Sequence, residues 1–145
     1  MLSFIFFLIG YAQASDWSKT LAEAVPSVVM IRSYSPVSFE GKGSGVSSAT
    51  GFVVDAERGI ILTNRHVVRT GPIVADAVFQ NNEEIDLVPL YRDPVHDFGF
   101  FQYDPASLEH TQPRTLPLRP ALAVQGAEVR LVGSDAGEKV SILSG

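Results

Sequence analysis

The apolar residues of this chain fall into short blocks bounded by Gly, Pro, Asn, Asp and Ser. Ser27–Arg32 (SVVMIR) is β-branched and apolar and reads as a first strand. Residues 35–48 are rich in Ser and Gly and read as a flexible loop. Thr50–Asp55 (TGFVVD), the turn Ala56-Glu57-Arg58-Gly59 and Ile60–Thr63 (IILT) form a hairpin. A non-strand piece, Asn64–Val68, follows, and Gly71-Pro72 interrupts the chain beyond it. Ile73–Gln80 and Ile85–Tyr91 bracket Asn81-Asn82, a turn pair because Asn tolerates left-handed backbone angles. Phe98–Tyr103 is an aromatic strand, whereas residues 104–123 are irregular and hold four prolines. Glu128–Ser134 and Lys139–Leu143 flank Asp135-Ala136-Gly137 as a last hairpin.

One segment has a different period. Trp17, Leu21 and Ala24 share a face at i, i+4, i+7, Asp16 can cap that helix, and Pro26 ends it. Apart from this short N-terminal helix, the spacing of strands and turns predicts an all-β barrel or sandwich.

Composition narrows the chemistry. The 145 residues, 46% hydrophobic and 19% charged, fit one domain with a real core. With 11 Lys+Arg against 16 Asp+Glu the net charge is −5, and no basic run stands out, which argues against nucleic-acid binding. The absence of cysteine excludes disulfides, thiolate nucleophiles and zinc–thiolate sites. Neither a cofactor nor a metal is implied. Phe4–Ile9 is a compact apolar block, and Ala12-Gln13-Ala14 has the small-x-small form of a signal-peptidase site. Residues 1–14 thus read as a hydrophobic leader or a non-native start, too short to span a bilayer. Residues 15–145 read as one folded unit.

The general-base candidates are His66, His96 and His110. His110 lies in a polar Glu/Thr/Gln/Pro loop and His96 in the loop before Asp97, so both read as surface residues. His66 follows the apolar strand IILT, whose end would hold its ring on a rigid scaffold. The alternative for His66 is a buried ring hydrogen-bonded to backbone. Asp97 opens the strand FGFFQY, where a carboxylate entering apolar surroundings needs a partner to stay charged. An imidazole would serve, and the carboxylate would fix its tautomer and orientation.

The segment Thr50–Val68 (TGFVVDAERGIILTNRHVV) resembles the histidine motif of the HtrA/Deg-type proteases in the chymotrypsin-like superfamily. Arg92–Phe101 (RDPVHDFGFF) resembles that family's aspartate motif, thirty-one residues on from His66 to Asp97, and Gln125–Gly145 resembles the hairpin that follows it. The wording TGFVVD, TNRHVV and HDFGFF is similar to the fungal-type, nuclear, pro-apoptotic relatives that carry PDZ domains. The resemblance implies the N-terminal six-stranded barrel of a chymotrypsin-like double barrel and a serine endopeptidase with His66 and Asp97 in its triad. It also implies polypeptide substrates and a nuclear or cytoplasmic setting, with homo-oligomers formed through segments not recognisable here. A cleaved leader would instead imply the secretory pathway.

The family's Gly-x-Ser-Gly nucleophile segment does not occur after Asp97. Gly43-Ser44-Gly45 precedes the histidine, and Gly133-Ser134-Asp135 lacks the glycines of an oxyanion hole. The expectation is therefore a protease domain stopped short of its second barrel and PDZ domains, inactive by itself and exposing an apolar face. Two other readings stay open: an inactive β-barrel acting as a binding or regulatory module, and an unrelated ligand-carrying barrel.

Overall fold

The structure is a computed structural model that describes residues 17–39, 41, 43–135 and 139–144. The leader-like residues 1–14, the proposed cap Asp16 and the turn residues 136–137 lie outside the described residues. Helix α1 spans Trp17–Ala24, as its periodicity predicts. A 3-10 turn at Val25–Ser27 contains Pro26, whose fixed φ suits the start of such a turn, where its missing N–H has no partner to lose. Among the described residues no helix is long and apolar enough to cross a membrane.

Six antiparallel strands close into a barrel: β1 (Val28–Ser35), β2 (Gly45–Asp55), β3 (Ile60–Thr63), β4 (Val74–Val78), β5 (Glu84–Arg92) and β6 (Gly99–Gln102). Their order around the barrel is β1-β2-β3-β6-β5-β4, and pairing of β1 with β4, Met30 opposite Val78, closes it. Alternate residues point inward, so Val29, Ile31, Val53, Ile61, Ala77 and Phe101 lose essentially all contact with water. Phe79 packs edge-to-face on Tyr103, with ring centres 6.1 Å apart, and both belong to the same core.

The Ser/Gly-rich segment departs from its expected loop. β2 begins at Gly45, pairing Ser35 with Gly45 and Ser33 with Ser47. The Ser33 and Ser47 hydroxyls are 2.9 Å apart, so the inward polar pair satisfies itself across the two strands. Register with β1 overrides weak intrinsic strand preference. Asn82 takes φ 63° in the β4–β5 turn, as the Asn pair predicts. Pro89 sits at a register shift in β5, where a missing N–H is tolerated.

The last hairpin is not part of the barrel. β7 (Arg130–Asp135) and β8 (Lys139–Ser144) form a separate two-stranded sheet. It meets α1 at its base, where Trp17 Nε1 donates to Glu128 Oε1 at 3.2 Å and the Arg130 guanidinium lies 4.6 Å from the Trp17 ring centre. The connector between barrel and hairpin carries 3-10 turns at Pro105–Ser107 and Pro120–Leu122. Polar pins hold it: Ser27 Oγ accepts from the Arg114 N–H at 2.7 Å, and the Leu116 N–H donates to the Val53 carbonyl at 3.0 Å. The Glu83 carboxylate accepts the backbone N–H groups of Glu109, His110 and Thr111. Led by the contact with Thr111, these bonds outweigh the opposing effect of burial and draw the Glu83 pKa down to about 2.

Candidate active site

β3 and β6 lie side by side, with Thr63 opposite Gly99 at the end of the pairing. Continuing past Thr63 and back from Gly99, the chain brings residues 64–66 against residues 97–98. Two packing facts fix this junction. Thr63 Oγ1 donates to the Thr50 carbonyl at 2.8 Å, anchoring the strand end. Gly99 lies beneath Val68: a Cβ there would come within 2.8 Å of Val68 Cγ2 and 3.0 Å of the Tyr91 carbonyl oxygen. The turn 64–68 can settle onto the barrel because Gly99 has no side chain, and Val67 and Val68 are buried as its apolar foot.

The ring of His66 stands on that turn. Its Nδ1 lies 2.9 Å from Asp97 Oδ2 and 3.1 Å from Asp97 Oδ1. The His66 backbone N–H donates to Asp97 Oδ1 at 3.1 Å. The pair is nevertheless open: the side chains retain 58% and 48% of their exposure. Burial of the His66 ring against backbone is thereby excluded, and Asp97 does not enter the apolar setting expected of it. Solvent reaches its carboxylate because the outer rim of the junction is uncovered. Burial still tends to raise the Asp97 pKa, but hydrogen bonds from the His66 side chain and backbone, with the charges of His66 and Arg65, bring it below the usual carboxylate value. An ionised carboxylate only accepts, so Nδ1 carries the proton toward it.

The loop bearing Asp97 is organised by Asp93, which the sequence reading passed over. Asp93 is 9% exposed, and its Oδ1 accepts the N–H groups of Val95 at 2.9 Å and His96 at 2.6 Å. Tyr91 Oη donates to Asp93 Oδ2 at 3.1 Å. Led by the His96 N–H, these bonds hold the Asp93 pKa at about 2. An acid three residues before a loop residue was the available signal, since Asp side chains cap such turns. His96 stacks on Phe98 and has its Nδ1 3.2 Å from Asp93, and His110 lies exposed with its Nε2 3.8 Å from Glu109. The structure therefore joins His66 to Asp97 and leaves the other two histidines elsewhere.

Among the described residues no three His, Cys, Asp or Glu side chains gather as a metal site. A cleft of about 840 Å³ on the outside of the barrel, lined by Arg32, Asp76, Glu84 and Asp86 among others, shares no residue with the His66–Asp97 pair. The Arg32 guanidinium there is already engaged: it lies 2.6 Å from Asp76 and 2.8 Å from Glu84, and these partners raise its pKa.

Comparison with known proteins converges on one family. The model of the trypsin-like peptidase domain matches residues 49–145. Protease Do-like 7 of Arabidopsis thaliana is 54% identical over 134 residues, covering 92% of this chain and 12% of the relative. The pro-apoptotic serine protease NMA111 of Vanderwaltozyma polyspora is 56% identical over 129 residues, covering 89% of this chain and 13% of the relative. The chain thus spans about an eighth of the length of these curated relatives. Among solved structures, the HtrA-type protease AlgW S227A variant with a tripeptide superposes with a TM-score of 0.70 at 18% identity, covering 88% of this chain and 38% of that one. The serine endoprotease from Yersinia pestis gives 0.69 at 18% identity, with 90% and 43% covered.

Proposed function

This chain belongs to the trypsin-like peptidase domain family, and from that premise we propose that it is of HtrA type and supplies the general base and orienting carboxylate of a serine endopeptidase. The observation that carries the reading is the His66 Nδ1–Asp97 contact at 2.9 Å, reinforced by the His66 backbone N–H on the same carboxylate. In this reading Nε2 of His66 takes the proton of a serine hydroxyl as it attacks a peptide carbonyl, then returns it to the leaving amine. Asp97 holds the ring and stabilises the imidazolium that forms between those steps. The substrates are polypeptides.

The serine and the oxyanion hole must come from outside the barrel, since no Gly-x-Ser-Gly follows Asp97 in these 145 residues. The barrel β1–β6 is then the half that carries the base, and the hairpin β7–β8 belongs to the adjoining half. A fluorophosphonate probe tests this directly. The purified 145-residue chain should label no more than a control protein. The same chain extended by the second barrel of Protease Do-like 7 should label at one serine, and His66→Ala should abolish that labelling. Labelling of the short chain, or labelling of the extended chain that survives His66→Ala, defeats the proposal.

A further inference from the structure

Asp97 is held by more than the histidine it orients. Oδ2 accepts from His66 Nδ1, and the Asn64 side-chain amide reaches the same oxygen from Nδ2 at 3.3 Å. That amide also lies 3.3 Å from the Asp97 backbone carbonyl. Both neighbours are acceptors, so only the NH₂ end of the amide can face them, and the orientation of Asn64 is determined. On the other side, Arg65 Nη1 donates to the Pro94 carbonyl at 3.2 Å and ties the turn to the loop that carries Asp97.

We propose that Asn64 is a positioning residue of the His66–Asp97 pair: its amide clamps the Asp97 carboxylate and main chain so that the carboxylate faces Nδ1. The inference rests on the reading of that pair as base and orienting acid. The physical need is plain in the geometry. A carboxylate that keeps 48% of its exposure is bid for by water, and rotation about its side-chain bonds would carry it off the ring. Asn64 restrains both ends of that rotation, the carboxylate oxygen and the backbone carbonyl behind it. The clamp is built by the barrel, because Asn64 directly follows Thr63 and Asp97 lies two residues before its partner Gly99. The same residue starts the turn, its carbonyl accepting the Val67 N–H at 3.0 Å.

The test is a spectroscopic reading of where the imidazole proton sits. Histidine labelled with ¹⁵N in the 145-residue chain reports Nδ1–H and Nε2–H forms separately, with His66 assigned by His66→Gln. In the unaltered chain at neutral pH the proton should reside on Nδ1. Asp97→Asn should move it to Nε2, and a ring unaffected by Asp97→Asn would refute the pair itself. Asn64→Ala, and Asn64→Leu, which keeps roughly the side-chain shape and adds no charge but removes the donor, should each lose most of the Nδ1–H form while the amide spectrum stays folded. If Asp97→Asn shifts the proton and Asn64→Leu does not, the pair stands and the role given to Asn64 is overturned. Should Asn64→Ala unfold the chain, Asn64→Leu decides.

Discussion

The barrel and the segment that follows it are written in the same alphabet of short strands and turns, yet they are held by different forces. Every buried apolar residue among those described lies between Val28 and Tyr103. From residue 104 onward the chain is attached mainly by polar pins at Glu83, Ser27, Val53 and Ala56 and by the Trp17–Arg130 contact, with Leu108 packed against the barrel core and β7 lying beside β1 and β2. On β7 and β8, Leu131 and Leu143 keep 62% and 61% of their exposure. Alternation gives a strand an apolar face, but only closure or a second layer buries that face. The His66–Asp97 pair sits on the side of this divide where the scaffold is rigid.

The difference can be broken most forcefully at the core. Phe101 is fully buried on β6, two residues from Gly99. Phe101→Ala should cost about 3–5 kcal/mol by denaturant unfolding, since the void cannot collapse in a closed barrel. A loss no larger than that at a surface site would mean that the barrel is not the stable unit. Gly99→Ala comes next, at about 1–3 kcal/mol, because its Cβ would meet Val68 Cγ2 at 2.8 Å. Its distinguishing effect is on the site: amide shifts should spread through residues 64–68 and 97, and their absence would detach Gly99 from the seating of His66.

Across the divide the effects become local. The Glu83 pKa is depressed from 4.5 to about 2, so its stabilisation is in place above the ordinary value and is lost as pH falls between the two. Acidification through that window should raise amide exchange at residues 109–111 before the barrel responds. Glu83→Gln should raise exchange there at neutral pH and remove its acid dependence. Uniform protection at all pH values would show that the connector is held by something else.

The smallest effects lie in groups that gain little from their surroundings. The Tyr103 hydroxyl is buried without a hydrogen-bond partner among the described residues, and burial pushes its pKa up to about 12. Tyr103→Phe should leave stability unchanged or raise it by about 1 kcal/mol, because no bond is lost and an unsatisfied group is removed. Leu131→Ser on the hairpin should stay within about 0.5 kcal/mol. A large loss there would place β7 in a packed interface.

Strand positions were legible because burial on one face leaves a period of two in the sequence, and Asn81-Asn82 marked its turn by the backbone angle Asn82 adopts. The extension of β2 back to Gly45 was not legible, since Ser and Gly there become strand only through register with β1. His66 and Asp97 were legible as motif residues on either side of apolar strands. Asp93, Asn64 and Gly99 were not singled out, because their importance lies in contacts that span turns and neighbouring strands.

What the sequence determined by itself was local: which residues are extended, where the chain turns, and which two side chains match a family's base and acid motifs. Only the tertiary structure decided that β3 lies beside β6, which sets His66 on Asp97, and that the last hairpin pairs with itself as a separate sheet beside β1 and β2 rather than joining the closed barrel. Alternation is a property of neighbouring residues and is written along the chain. Strand pairing depends on which distant edges meet, and that choice is settled only when closing the barrel buries Phe101 and Ile61 together.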